Sequence, residues 1–117
     1  MRKLKAFALL IGLSGMAIVA PTQAATEQIE RRVFGTSVQG RPLEAFRLGD
    51  PKGITVVVIG VIHGNEDAGL LITDQLLEMD VPRGINLWVV PTMNPDGTAL
   101  NQRGNANSVD LNRNFPY

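Results

Sequence analysis

The stretch Ile54-Thr-Val-Val-Val-Ile-Gly-Val-Ile-His-Gly-Asn-Glu66 decides the fold, because an apolar strand passes directly into a polar turn within it. Residues Ile54–Ile62 are almost all β-branched and show no alternation with polar residues. That composition is typical of a strand covered on both faces of a helix-flanked sheet. The segment His63–Glu66 follows at the carboxyl end of the strand, where open α/β sheets place their ligands. We therefore predict a buried strand that leads into a functional turn.

The segments on either side of this strand complete the predicted fold. Apolar residues recur at three- and four-residue spacing in Asp67–Met79, which predicts a helix with one apolar stripe. The run Ile85–Val90 predicts a second buried strand, and the short return implies a right-handed βαβ unit. Upstream, Ile29–Phe34 and Pro42–Leu48 flank a turn with glycine at each end and predict a hairpin. The predicted stripe of the helix consists of Ala68, Leu71, Ile72, Leu76 and Met79.

The first 24 residues have the pattern of an export signal. Three basic residues stand in the first five positions, and the apolar run Ala6–Ala20 follows. Small residues precede a cleavage position after Ala24 or Ala25. The apolar run is short for a bilayer span, and an uncleaved membrane anchor is the alternative. We therefore predict residues 1–24 as a signal peptide, residues 25–117 as one domain, and a periplasmic or secreted protein with no stable membrane insertion after cleavage.

The composition of the chain excludes several classes of function. The 117 residues contain no cysteine, so disulfides and thiolate metal sites are excluded. Without the three basic residues of the signal segment, 8 basic residues face 11 acidic ones, a net charge of −3. A mildly acidic body has no electrostatic footprint for nucleic acid, so we predict no nucleic-acid partner.

His63 and Glu66 are candidate metal ligands. An imidazole and a carboxylate three residues apart, across a strand-to-helix turn, can converge on one Zn²⁺ ion. Two histidines with one glutamate form a known catalytic zinc set. Gly64 lets the backbone bend between the two residues. The alternative is that His63 is a turn residue and Glu66 only an acid at the start of a helix.

A second polar segment, Arg103–Phe115, suits an anionic substrate end. Arg103 and Arg113 lie there among several side-chain amides with few acids nearby. A guanidinium group matches a carboxylate, and an amide adds a neutral donor. The alternative is a turn-rich surface loop in which Asp110 pairs with an arginine. The preceding Asn94-Pro-Asp-Gly97 predicts a tight turn that shapes this loop.

Taken in order, these segments resemble the zinc carboxypeptidase family, most of all the bacterial branch that trims murein peptides. The resemblance lies in His63-Gly-Asn-Glu66, Asn94-Pro-Asp-Gly97, Arg103 and Val109-Asp-Leu-Asn-Arg-Asn-Phe115. The segment Gly35–Pro42 is similar to the hairpin that opens the family's catalytic domain. The implied fold is α/β, a three-layer helix–sheet–helix arrangement with a mixed, mostly parallel sheet. Residues 25–117 would be the N-terminal part of that catalytic domain.

The resemblance also implies roles for individual residues. His63 and Glu66 would be two ligands of one Zn²⁺ ion, which would activate a water molecule as the nucleophile. Arg103 would polarise the scissile carbonyl and stabilise the oxyanion. Asn112 and Arg113 would hold the terminal carboxylate of a peptide substrate. A third ligand, a histidine, and a glutamate acting as general base are expected downstream, and the present sequence supplies neither.

The predicted function is therefore zinc-dependent hydrolysis of a C-terminal peptide bond, with the 117-residue chain inactive alone. We also expect marginal folding, because the sheet would keep an uncovered edge and face. One alternative is an N-deacylase similar to aspartoacylase and succinylglutamate desuccinylase, which resemble this chain at His-Gly-Asn-Glu and Asp-Leu-Asn-Arg. Another is a non-catalytic module that binds peptide carboxylates through Arg103, Asn112 and Arg113. The Asn-Pro-Asp-Gly segment and the signal peptide favour the peptidase.

Overall fold

The computed structural model describes residues 29–116, which form one four-stranded sheet, one helix of three turns and two short helical segments. The predicted signal peptide and Tyr117 lie outside the described residues. The elements are β1 (Glu30–Thr36), β2 (Pro42–Gly49), β3 (Ile54–Val61), α1 (Ala68–Glu78), β4 (Ile85–Thr92), α2 (Pro95–Ala99) and a 3₁₀ turn (Leu111–Arg113). No helix among residues 29–116 is both long enough and apolar enough to span a bilayer.

The sheet is mixed, with the strand order β1-β2-β4-β3. Strands β1 and β2 form the predicted antiparallel hairpin, and β2 continues antiparallel to β4, with Phe46 opposite Val89. Strands β3 and β4 are parallel, with Ile54 opposite Ile85, as the predicted βαβ unit requires. The carboxyl ends of β3 and β4 therefore lie side by side, and each leads into one of the polar segments.

The core lies between the sheet and α1. Its buried side chains come from the two middle strands: Leu48 of β2 with Leu87 and Val89 of β4. Partly buried side chains from β3, α1 and the return to β4 pack against them: Val58, Leu76, Leu77, Val81 and Ile85. The helix thus covers one face of the sheet and holds β3 and β4 in parallel register.

The predicted apolar stripe of α1 is wrong in part. Leu76 packs on the core, but Leu71 and Ile72 are 67% and 57% exposed. The helix instead buries Thr73, whose hydroxyl donates to the carbonyl oxygens of Gly69 and Leu70. Because that local hydrogen bonding satisfies the hydroxyl, threonine can lie in the interface at little cost. The helix carries more than one apolar face, and spacing alone did not indicate which face meets the sheet.

Strand β3 is an edge strand in the described part of the chain, although its sequence predicted a strand covered on both faces. Ile54, Val57 and Ile59 are 73%, 57% and 46% exposed. The face opposite α1 is also open among residues 29–116, and Phe34 there is 59% exposed. The expectation of an uncovered edge and face is confirmed for this part. The apolar composition of β3 is typical of an inner strand, in a sheet with more strands than residues 29–116 form.

Candidate metal centre

His63 lies just after β3, in the turn before α1. The backbone N–H of Glu66 donates to the His63 carbonyl at 3.0 Å, which closes a tight turn. This turn directs the Glu66 side chain to the imidazole, so that Oε1 lies 3.0 Å from His63 Nδ1. The His63 side chain is 8% exposed and that of Glu66 61% exposed. The two predicted ligands therefore meet, one fixed in the interior and one open to solvent.

The second imidazole nitrogen is held by a carboxylate from a distant loop. His63 Nε2 lies 2.9 Å from Asp110 Oδ1. A metal-binding histidine donates the N–H of its other ring nitrogen to a second group, so a metal at Nδ1 would fix the proton on Nε2, where Asp110 can accept it. The hydrogen bond with His63 is the main cause that lowers the pKa of Asp110; burial opposes it, and hydrogen bonds from Arg103 and the Asn112 backbone N–H add to it. Asp110 therefore remains an ionised acceptor.

Arg103 joins the same group of side chains. Its Nε donates to Asp110 Oδ2 at 3.0 Å, and its Nη1 donates to Glu66 Oε1 at 3.3 Å. The guanidinium group is about half exposed, at the open side of the pair formed by His63 and Glu66. The pairing of Asp110 with an arginine, which was the alternative for this loop, does occur. Because Asp110 also holds His63, the same pairing links the loop to the candidate ligands.

Side-chain amides and carboxylates give the polar loop its shape. Asn105 Oδ1 accepts from the backbone N–H groups of Asn107 and Val109, at 2.9 and 3.0 Å. Asp110 Oδ1 accepts from the Asn112 N–H at 3.0 Å and so caps the 3₁₀ turn. Such contacts replace the backbone partners that a helix or sheet would offer. This local bonding explains why an ordered loop shows no hydrophobic period.

Asn112 and Arg113, the predicted carboxylate-binding residues, lie on the 3₁₀ turn and are exposed. Arg113 Nη1 donates to the backbone oxygen of Asn112 at 3.0 Å. Within residues 29–116, no hydrogen bond joins either side chain to His63 or Glu66. The turn follows Asp110 directly, so the two residues remain available beside the candidate centre, and their role stays a prediction.

The donor set fits zinc as part of a site. An imidazole nitrogen and a carboxylate oxygen are ligands of catalytic zinc, and such a pair converges here at 3.0 Å. The orientation of His63 by Asp110 is the arrangement that metal-binding histidines use. In the stretch from residue 29 to residue 116, no group of three histidine, aspartate or glutamate side chains is placed to hold a metal. His63 and Glu66 can therefore supply two ligands, and this stretch places no third one beside them.

A buried carboxylate, Asp96, fastens the hairpin to the segment that follows β4. Asp96 is 2% exposed and accepts from Ser37 Oγ at 2.7 Å, from Arg41 Nη1 at 2.7 Å and from the Gln39 N–H at 3.1 Å. The sequence predicts only a tight turn at Asn94-Pro-Asp-Gly97. The segment is instead the first turn of α2, with Asn94 as its N-cap. We refer to these contacts of Asp96 as the hairpin clamp.

The hairpin clamp predicts a pH dependence of stability. Burial raises the pKa of Asp96, but the hydrogen bonds from Ser37, Arg41 and the Gln39 N–H outweigh it, so the pKa lies below its usual value. A carboxyl group with a lowered folded-state pKa stabilises the fold above its unfolded-state pKa of about 3.9. That contribution is lost as the pH falls through the lower folded-state value. The free energy of unfolding, measured with urea between pH 3 and 7, should therefore fall less on acidification in Asp96→Asn than in the wild type.

A matched control is Asp74→Asn, since Asp74 is exposed on α1. We expect this variant to keep the wild-type acid dependence. Equal acid dependence in the wild type and in Asp96→Asn would show that the hairpin clamp contributes nothing.

Residues 17–117 match the family model described as zinc carboxypeptidase. This chain belongs to the zinc carboxypeptidase family. It is 37% identical over 101 residues to carboxypeptidase SOL1 of Arabidopsis thaliana, and 36% identical over 83 residues to murein peptide amidase A of Escherichia coli strain K12. Each alignment covers 71% of this chain. The chain spans only 20% of the Arabidopsis protein and 34% of the bacterial one.

Solved structures confirm the predicted fold class. A metallo-carboxypeptidase from Burkholderia cenocepacia superposes with a TM-score of 0.66 at 28% identity, over 74% of this chain and 27% of that structure. The chain is thus the N-terminal part of an α/β zinc carboxypeptidase fold with a mixed sheet. An aspartoacylase family protein from Mesorhizobium loti has a TM-score of 0.64 at 23% identity, over 79% of this chain and 32% of that structure, which shows a shared fold alone.

Proposed function

We propose that this chain forms part of a zinc-dependent metallocarboxypeptidase that cleaves the C-terminal peptide bond of peptides with a free terminal carboxylate. The observation that carries the proposal is the convergence of His63 Nδ1 and Glu66 Oε1, with Nε2 of the same ring held by Asp110. Membership of the zinc carboxypeptidase family supports the choice of metal and of reaction.

When bound, zinc would supply a water molecule of lowered pKa and a Lewis acid for the carbonyl group. The residues of this chain would prepare that chemistry. Asp110 keeps the imidazole in one orientation, and Arg103 presents donors beside Glu66, where an oxyanion would need them. Asn112 and Arg113, exposed on the next turn, would bind the terminal carboxylate. The third ligand and the general base would come from residues outside this sequence.

Peptides of the murein type are the proposed substrate class. The likeness to murein peptide amidase A, at 36% identity, supports this choice. The basic start and apolar run of residues 1–24 support export to the periplasm or the medium, where such peptides occur. An N-deacylase is the second candidate, because His63-Gly-Asn-Glu66 and Asp110-Leu-Asn-Arg113 resemble segments of aspartoacylase-type N-deacylases. Cleavage of a peptide with a free C-terminus, but not of an N-acyl amino acid, would distinguish the first activity from the second.

For the 117-residue chain alone, we expect weak zinc binding and no peptidase activity. Catalytic zinc normally has three protein ligands and water, and between residues 29 and 116 only His63 and Glu66 converge as candidate ligands. Isothermal titration with Zn²⁺ should show weak binding that is lost in His63→Ala and in Glu66→Ala. Glu78→Ala, a change of the same residue type on the exposed side of α1, should leave the binding unchanged. Tight one-to-one binding that His63→Ala abolishes would show that another residue of the chain completes the site.

A further inference from the structure

Asn94 is one of the most buried polar side chains among residues 29–116. It makes more hydrogen bonds than its role as the N-cap of α2 requires. It is 2% exposed and serves as the N-cap of α2. As a cap, its Oδ1 accepts from the Gly97 backbone N–H at 3.0 Å. Capping needs only an acceptor, and aspartate or serine would serve equally well.

The amide nitrogen of Asn94 makes a second set of contacts, which capping does not explain. Nδ2 lies 3.1 Å from the carbonyl oxygen of Ile62, the residue before His63. It also lies 3.1 Å from the carbonyl oxygen of Gly104 and 3.3 Å from that of Arg103. One amide therefore joins the backbone that carries the candidate zinc ligand to the backbone that carries Arg103.

The backbone segments around the Asn94 amide are closely packed. A Cβ atom on Gly97 would lie 2.5 Å from the Gly104 carbonyl oxygen and would overlap the Asn94 amide. A Cβ atom on Gly64 would overlap the carbonyl group of Gly97. The turn after β3, α2 and the Arg103 loop are thus stacked at backbone contact, with the Asn94 amide between them.

The residue type matters because the site needs an acceptor and two donors in one neutral side chain. Asparagine provides both, whereas aspartate provides acceptors only. An aspartate at this position would keep the cap and would place a carboxylate against three carbonyl oxygens. A serine would keep an acceptor for the cap and would be too short to bridge the two segments.

We propose that Asn94 is a positioning residue that sets the placement of Arg103 relative to His63 and Glu66. The proposal rests on the proposed roles of those three residues. Asn94 does not reach the site itself, since it is buried beneath the loop. Loss of its donors would release the Arg103 backbone while His63 stays oriented by Asp110. A displacement of about 1 Å of a catalytic group can cost about a hundredfold in rate.

The first test needs no activity. In the ¹⁵N-labelled full chain, the Arg103 Nε–H donates to Asp110, and the rate of its exchange with solvent reports whether that contact is intact. In Asn94→Asp and Asn94→Ser, which both keep the cap, we expect its exchange to become at least about tenfold faster, because an opened hydrogen bond no longer protects it. The control is Asn101→Asp, the same chemical change at an exposed residue of the same loop. Asn101→Asp should keep the wild-type exchange rate.

The second test separates positioning from stability in the full-length enzyme with zinc. We expect Asn94→Ser to lower kcat by about a hundredfold with little change in KM. The double variant with Arg103→Ala should be no slower than Arg103→Ala alone, because both changes remove the same interaction. Zinc affinity in Asn94→Ser should stay within about threefold of the wild type, since Asp110 still orients His63.

Several results would overturn the proposal. Unchanged Arg103 Nε–H exchange in a folded Asn94 variant would do so, as would multiplicative losses of kcat in the double variant. Loss of zinc binding would show that Asn94 supports the ligand turn instead. If neither Asn94 variant folds, Asn94 acts on stability and the positioning role falls. If the wild-type enzyme cleaves no peptide, the proposed function fails, and the exchange experiment still decides the role of Asn94.

Discussion

In the full-length enzyme, replacing Arg103 by alanine is expected to lower kcat by a factor of about 10²–10³ and to leave KM nearly unchanged. The guanidinium group lies beside Glu66, where negative charge would develop only as water attacks the carbonyl. An interaction made only in the transition state affects kcat rather than substrate binding. Asp110 keeps its contacts with His63 and the Asn112 N–H in this variant, so the imidazole should stay oriented. Steady-state kinetics on a peptide with a free C-terminus measure the effect.

Arg113 provides the contrast within the same experiment. It is exposed on the 3₁₀ turn and is proposed to bind a carboxylate that is charged before and during the reaction. Arg113→Ala should therefore raise KM with a smaller effect on kcat, and amidation of the substrate should have the same effect on the wild type. If both variants raise KM alone, or if the wild type prefers the amide, the assigned roles are wrong.

Gly64→Ala is expected to be the most destabilising single substitution among those considered. A Cβ atom there would overlap the backbone of Gly97 and Thr98 in α2. Backbone atoms cannot turn away as a side chain can, so the turn after β3 and α2 would have to separate. We expect the free energy of unfolding to fall by about 3 kcal/mol or more, at the upper end of the cost of overpacking. Urea unfolding followed by circular dichroism measures it.

Gly35→Ala is the matched control. The nearest atom to a Cβ at Gly35 is the end of the Leu43 side chain, at 3.2 Å, and a flexible side chain can adjust. We expect a loss well below that of Gly64→Ala. Equal losses in the two variants would contradict the close packing between the ligand turn and α2. A folded Gly64→Ala variant with unchanged zinc binding would contradict it as well.

The part of the fold that the sequence predicted is the part governed by local pattern. The β-branched run of β3, the glycine-bounded turn of the hairpin and the period of α1 each lie within a few residues of chain. The face of α1 that meets the sheet was not predictable, because Leu71 and Thr73 both fit a helix. Burial of Thr73 depends on a hydrogen bond to its own helix and on the shape of the sheet beneath it.

In the candidate site, too, residues close together in the sequence were predictable and contacts between distant residues were not. His63 and Glu66 were found because they are three residues apart in one turn. Asp110, which orients His63 from 47 residues further along the chain, was not assigned this role. Asn94 was also missed, since its donors reach Ile62 and Gly104, which lie 32 and 10 residues away. The pairing of such distant polar residues depends on the folded backbone, and a single sequence carries no periodic signal for it.

The hairpin clamp affects the order in which the contacts of the β1–β2 hairpin form during folding. Ser37 and Asp96 are 59 residues apart, so the hydrogen bond between them closes a long loop. The hairpin precedes Asp96 in the chain, so its turn cannot be fastened until the residues after β4 have been made. A contact of such long range forms late, since its loop entropy is offset only when the intervening strands have paired. The hairpin turn is therefore fastened only after β3, α1 and β4 have followed it in the chain.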